Sequence, residues 1–335
     1  MSDSSIQSAF KASRLTSSTF LIIEHSDSYD EHPYIYAKII PTANTILIVD
    51  TGCGGTTNNP KINLKSLRRF IEVVGVHDNA GKPLNEGGSM GYAVVLSHCH
   101  YDHILGVEQF ANDSPIFVSS HSLDFISPAN LPIHSLCQDL GIQTPQYTTT
   151  PISHGQEIQI TRHHPRSSSD KGGSIDTKIA ESAVSTGVVA LHTPGHTPDE
   201  LALWDEEEGM LYVGDTFYEW AHIIFPVEGS IVDWFQSVDM LINLIHASTK
   251  KGSAKINCGH TTAGRPALEV LQGARDFMMD VLSRRERVRD RFEKRGEVFE
   301  VYAQEGMRYS LACPKRLIDT AREKQRSSGS GAEKL

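Results

Sequence analysis

Short apolar segments rich in β-branched and aromatic residues recur along the chain, and this pattern predicts β-strands. The predicted strands cover residues 19–24, 34–40, 45–50, 92–96, 116–118, 188–191, 200–204, 210–213 and 255–257. Apolar residues at three- and four-residue spacing predict helices over residues 63–74 and 231–245. A longer helix is predicted from Pro266, because one apolar stripe continues from Leu271 to Phe292.

The order of these elements favours an α/β fold. Strand clusters precede and follow helices in two halves, which predicts an αββα sandwich of two mixed β-sheets flanked by helices. We expect an N-terminal extension at residues 1–18, a main domain at 19–264, a C-terminal helical extension packed on it at 265–326 and a disordered tail at 327–335. Residues 162–185 are rich in Ser, Gly and Lys, so we predict a mobile surface loop there, either a lid or a disordered insertion.

Four residues that could bind metal ions directly follow the predicted strand at 92–96. They are His98, His100, Asp102 and His103. In an extended segment residues two apart point the same way, so His98 and His100 can bind one cation. Asp102 and His103 lie further round the turn and can face a second cation. Imidazole and carboxylate are the ligands that zinc prefers in catalytic sites.

Three more residues of the same kind each follow a later strand and lie beside a glycine. His196 follows the strand at 188–191, Asp215 follows 210–213, and His260 follows 255–257. The C-terminal ends of strands are where α/β sheets expose their functional loops. One such residue alone would be an ordinary turn residue, whereas the whole series predicts a metal site.

These residues resemble the motifs of the metallo-β-lactamase superfamily, whose run His-x-His-x-Asp-His is intact from His98 to His103. The resemblance covers about residues 19–270 and includes the later His, Asp and His motifs in family order. It implies a metallo-β-lactamase fold and a catalytic domain at 19–264. It also implies two metal sites, one formed by His98, His100 and His196 and the other by Asp102, His103 and His260, with Asp215 bridging them. The bridging aspartate is typical of the glyoxalase II and lactonase branches.

The resemblance also implies a mechanism and cofactors. Two divalent metal ions are expected, zinc above all, with iron or manganese as alternatives. A metal-bound hydroxide would attack a carbonyl carbon, and Asp102 would hold or receive a proton beside it. Asp50, in the turn Asp50-Thr51-Gly52, is implied to support the metal loops by hydrogen bonding.

The substrate is indicated only coarsely. Tyr218, Trp220 and His222 follow Asp215 and have polar tips, so we predict that they line a substrate pocket. We predict a metal-dependent hydrolase acting on a lactone, lactam, ester or thioester, with a slight preference for a cyclic ester or amide, because glutathione-binding residues are not recognisable. Two alternatives stay open: an iron-dependent oxidoreductase of the persulfide dioxygenase type, which uses one iron, and a non-catalytic binding member of the fold.

Composition narrows the range of partners. Basic residues number 31 and acidic residues 41, giving a net charge of −10 that disfavours nucleic-acid binding. The basic segment at 284–295 contains interleaved acids, which favours the solvated face of the long helix. Five scattered cysteines without a CxxC pair indicate reduced thiols. We therefore expect a cytoplasmic protein with a small-molecule substrate and no membrane partner, and we leave its oligomeric state open.

Overall fold

The computed structural model describes residues 6–163 and 183–329, which form two compact units. The first unit comprises Met1–Val118, Ser135–Ile152 and Gln156–Val189, and the second comprises Ser119–His134, Ser153–Gly155 and Ala190–Leu335. Most of the loop predicted at 162–185 lies outside the described residues, as do tail residues 330–335. No helix within 6–163 or 183–329 is long and apolar enough to cross a membrane.

The first unit is built on a seven-stranded sheet whose strands lie side by side in chain order. They are β1 (Phe10–Arg14), β2 (Thr19–Glu24), β3 (Tyr34–Ile40), β4 (Thr45–Val49), β5 (Gly91–Val95), β6 (Ile116–Ser119) and β7 (Thr149–Ile152). The pairs from β1 to β4 are antiparallel, whereas β4, β5 and β6 run parallel. All five residues of β4 are buried, as expected of a central strand covered on both faces.

Short helices connect these strands. They are α1 (Leu67–Val73), α2 (Tyr101–Ile104) and α4 (Cys137–Leu140) in the first unit, and α3 (Leu131–His134) in the second. Helix α1 is shorter than the predicted 63–74, because Ser66 caps it by accepting a hydrogen bond from the Arg69 amide. Strand β1 lies inside the predicted N-terminal extension and pairs with β2, so the sheet begins before residue 19.

The long strand β9 (Ala183–His192) begins in the first unit, where it pairs with β8 (Glu157–Thr161). The strands of the second unit come after β9 in the chain. Across the second unit's sheet the order is β14 (Arg265–Pro266), β13 (Lys255–Asn257), β11 (Met210–Tyr212) and β10 (Leu201–Asp205). Only the β11–β13 pair of these is parallel. Helices α5 (Ile231–Ala247) and α6 (Ala267–Leu282) each bury one apolar stripe. Sheets flanked by helices confirm the predicted α/β class.

The C-terminal region differs from the helical extension predicted at 265–326. Helix α6 ends at Leu282, and a four-stranded sheet follows in the order β12 (His222–Ile224), β17 (Ser310–Pro314), β16 (Glu297–Ala303) and β15 (Val288–Lys294). Helix α7 (Lys315–Gly329) continues past residue 327, where the disordered tail was expected to start.

The prediction of one long helix was wrong for a geometric reason. Val288 and Phe292 are four residues apart, a spacing that fits one face of a helix, but these residues belong to β15, which has a register shift between Val288 and Asp290. Phe292 stacks on Phe299 of β16, with ring centroids 5.2 Å apart, and this cross-strand pair favours the strand. The charged segment 284–295 therefore lies largely on an exposed edge strand instead of a helix face.

Candidate metal centre

The first unit gathers four of the predicted ligands just beyond the end of β5. His98, His100, Asp102 and His103 are all at least 94% buried. Nε2 of His98 lies 3.0 Å from Nδ1 of His100, and the ring centroids of His98 and His103 are 4.2 Å apart. Oδ2 of Asp102 is 3.4 Å from Nε2 of His103. The run from His98 to His103 therefore places its four donor side chains together, and all four are buried.

Asp50 lies at the end of β4 and contacts this run. Strands β4 and β5 are parallel neighbours, so their C-terminal ends meet at one edge of the sheet. The Asp50 carboxylate accepts hydrogen bonds from the Ser97 amide at 2.7 Å and the Ser97 hydroxyl at 2.8 Å. It also lies 2.9 Å from Nδ1 of His103. Because a carboxylate only accepts, Nδ1 of His103 carries the proton and Nε2 carries the lone pair that can bind a metal.

Glu24, which was not among the predicted site residues, supports the turn that follows Asp50. Its carboxylate accepts hydrogen bonds from the amides of Cys53 at 2.7 Å and Gly55 at 2.8 Å. Burial raises the pKa of Glu24 to about 8, against the lowering effect of those two bonds. A β-carbon at Gly52 would lie 2.3 Å from a Glu24 carboxylate oxygen, so only glycine fits there. A glutamate ending an otherwise apolar strand was the signal that could have identified it.

The second unit holds the other three predicted ligands, each buried and each following a strand. His196 comes after β9, Asp215 after β11 and His260 after β13. Strands β11 and β13 are parallel neighbours, which brings their C-terminal ends to one edge. Oδ2 of Asp215 consequently lies 3.5 Å from Nε2 of His260.

Helix α5 fixes two of the segments that carry these ligands. The Trp234 indole donates to the Thr216 carbonyl at 2.6 Å, and the Ser237 hydroxyl donates to the Pro194 carbonyl at 2.7 Å. A β-carbon at Gly195 would lie 2.6 Å from the α-carbon of Trp234. The glycine beside His196 is therefore required by the close approach of the helix backbone.

The three predicted pocket residues separate in the structure. Tyr218 is buried, and its ring packs edge-on against His260 with centroids 5.3 Å apart. Trp220 is 61% exposed, and its amide donates to the Arg308 carbonyl at 2.9 Å. His222 pairs with β17 as part of β12, and it lines a surface groove of about 550 Å³ whose lining includes none of the predicted ligands. Of the three, only Tyr218 is shown against a predicted ligand.

More than half of the chain, residues 39–131 and 149–250, matches the family model described as Metallo-beta-lactamase superfamily. The chain belongs to the metallo-beta-lactamase superfamily. This match confirms both the resemblance and the metallo-β-lactamase fold predicted from the sequence. Each unit of this superfamily member contains buried histidine and aspartate side chains of the kind that hold metal ions.

Three comparisons illustrate the range of similar proteins. A protein of Aspergillus versicolor named putative transcription factor avaE is 29% identical over 96% of this chain and 90% of its own length. Hydroxyacylglutathione hydrolase of Legionella pneumophila (strain Lens) is 26% identical over 50% of this chain and 47% of its own. The solved structure of TTHA1429, a metallo-beta-lactamase family protein of Thermus thermophilus, has a TM-score of 0.49 and 17% identity, covering 83% of this chain and 85% of that one.

Proposed function

We propose that this protein is a metal-dependent hydrolase of a small carbonyl substrate. The observation that carries the proposal is a set of seven buried imidazole and carboxylate side chains at strand ends. Following the motif order of the superfamily, we propose two groups: His98, His100 and His196, and Asp102, His103, Asp215 and His260. Each group would bind one divalent ion, and Asp215 would bridge the two.

The chemistry of the donors fits such ions. Burying carboxylates such as Asp102 and Asp215 is costly unless a positive charge compensates them, and dications would do so. Asp50 holds His103 in the tautomer that presents Nε2 as a ligand. Mixed imidazole and carboxylate donors suit zinc, iron and manganese, of which we propose zinc.

Two bound ions would supply an activated water at neutral pH and polarise the substrate carbonyl. The side chains of the protein would do the remaining work. The Asp102 carboxylate would accept the proton that the attacking water loses. The hydroxyl of Tyr218, whose ring packs against His260, would donate a hydrogen bond to the carbonyl oxygen as it gains charge. This arrangement needs no nucleophilic serine or cysteine.

The proposed substrates are lactones, lactams, esters and thioesters, with a slight preference for a cyclic ester or amide. The similarity to hydroxyacylglutathione hydrolase keeps thioesters in this set. The name of the Aspergillus versicolor relative suggests a role in transcription instead. The net charge of −10 opposes contact with a nucleic-acid backbone, and we propose a soluble cytoplasmic enzyme with a small-molecule substrate.

Elemental analysis combined with a hydrolysis screen tests the proposal. We expect about two transition-metal ions per chain and turnover of at least one of the four substrate classes. His98→Ala should lose both metal and turnover, whereas His77→Ala, at an exposed histidine, should keep both. One iron per chain would favour the persulfide dioxygenase alternative. A protein with no metal and no turnover would be a non-catalytic member, and the proposal would then be wrong.

A further inference from the structure

Glu200 is a fully buried glutamate that lies outside the proposed ligand set. Its carboxylate oxygen Oε1 accepts hydrogen bonds from the Asp215 amide at 2.9 Å and from the Thr216 hydroxyl at 3.3 Å. Its main-chain carbonyl accepts the Thr193 amide at 2.9 Å. One residue is therefore bonded to both the segment that leads to His196 and the segment that carries Asp215.

The hydrogen bonds to the Glu200 carboxylate fix the backbone at Asp215 itself. Strand β11 ends at Tyr212, and beyond it the Asp215 amide is oriented by its hydrogen bond to the Glu200 carboxylate. A carboxylate fully removed from water needs donors, and the Asp215 amide and the Thr216 hydroxyl provide two of them. The same hydrogen bonds therefore orient the Asp215 amide and satisfy the buried Glu200 carboxylate.

We propose that Glu200 is the positioning residue for the metal ligand Asp215. The inference rests on the proposed function, because it gives Asp215 its role. By holding the Asp215 amide and the Thr216 hydroxyl through one oxygen, Glu200 sets the orientation of the Asp215 side chain, which would bind the ions. Outer partners of metal ligands typically change metal affinity by about 10- to 100-fold when they are removed.

A matched pair of substitutions separates positioning from simple space filling. Glu200→Gln keeps an oxygen acceptor at Oε1, whereas Glu200→Met has a similar length and no strong acceptor. Thr216→Val removes one of the two bonds and leaves the Asp215 amide bonded to Glu200. Glu207→Met, at an exposed glutamate of the same unit, is the control.

The readout is the affinity for each of two zinc ions, measured by competition with a chromophoric chelator, with stoichiometry from elemental analysis. We expect Glu200→Met to weaken binding of one ion at least 10-fold and Thr216→Val to weaken it less. Glu200→Gln should stay within about 3-fold of the wild type and Glu207→Met should match it. If Glu200 only fills space, Glu200→Met will lower the unfolding free energy of the metal-free protein and leave its zinc affinity unchanged.

The experiment distinguishes failure of the proposed function from failure of the inference about Glu200. Wild-type protein that binds no metal overturns the proposed function and this inference together. Wild-type and Glu200→Met proteins that bind two zinc ions with equal affinity overturn only the inference about Glu200. If Glu200→Met does not fold, an unchanged zinc affinity in Thr216→Val overturns it equally.

Discussion

Asp50 and His103 are joined by a 2.9 Å contact between a carboxylate oxygen and Nδ1, although 53 residues separate them in the sequence. The contact links the end of β4 to the run that follows β5. Because the same carboxylate also accepts both donors of Ser97, the start and the end of the ligand run are held by one side chain. The orientation of His103 therefore depends on a residue that would not itself bind metal.

Replacing that carboxylate tests its supporting role. In Asp50→Asn, the one remaining oxygen can still accept a hydrogen bond from Ser97. The side chain no longer has two oxygens to accept hydrogen bonds from both Ser97 and His103. We expect the affinity for one zinc ion to fall about 10- to 100-fold, measured by chelator competition. Asp276→Asn, at an exposed aspartate, is the control. Equal zinc affinity in Asp50→Asn and the wild type would contradict this role.

Removing the proposed bridge should be more damaging. Asp215→Ala leaves His98, His100 and His196 as one possible group and takes a carboxylate from the other. We expect the metal content to fall from about two ions towards one and turnover to fall by roughly 10²-fold or more, because two bound ions would stabilise the developing charge better than one. Elemental analysis and steady-state kinetics on one preparation measure both quantities. Near-normal turnover with two bound ions would show that Asp215 does not bridge.

Tyr218→Phe separates catalysis from metal binding. The phenylalanine keeps the ring that packs on His260 and removes only the hydroxyl. We expect kcat to fall by about 10²-fold, the usual effect of removing one donor to a developing oxyanion, with metal content unchanged. If kcat stays at the wild-type value, Tyr218 is a packing residue and the hydrogen bond proposed for it does not exist.

Gly195→Ala tests the close approach of α5. The new β-carbon would lie 2.6 Å from the α-carbon of Trp234, which forces the helix or the His196 turn to move. We expect the free energy of unfolding of the metal-free protein to fall by about 1–3 kcal/mol. Urea unfolding measures it. Gly252→Ala, where a β-carbon meets nothing within 4 Å, should change stability little. A wild-type midpoint for Gly195→Ala would contradict the steric argument.

Glu24 predicts a pH dependence of stability. Its carboxyl has a pKa of about 8 in the folded protein and close to 4.5 when unfolded, so the folded state holds one more proton between these values. The free energy of unfolding should therefore fall as the pH rises from about 5 to about 8. Glu24→Gln removes this titration, so its stability should fall less over the same range. Urea unfolding with chelator present compares the two proteins, and parallel pH profiles would show that Glu24 is not the cause.

The candidate ligands could be proposed from the sequence because each one follows a predicted strand closely. The strands before His98 and Asp215 are short apolar runs, and a histidine or aspartate just after such a run is visible without any tertiary contact. A polar residue at the end of β2 could have drawn attention to Glu24, but the contacts of Glu24 and Glu200 could not be predicted, since each involves amides 15 to 31 residues away along the chain. Strand β1 was missed for a similar reason: FKASR has little apolar character, and its pairing with β2 defines it.

The division of the chain into units has a consequence for its synthesis. Every segment of the first unit precedes residue 190, whereas the second unit needs Ala190–Leu335. At ordinary translation rates the ribosome takes on the order of ten seconds to add that remainder. The seven-stranded sheet and the cluster from His98 to His103 can therefore begin to assemble on the nascent chain before the rest of the second unit has been polymerised.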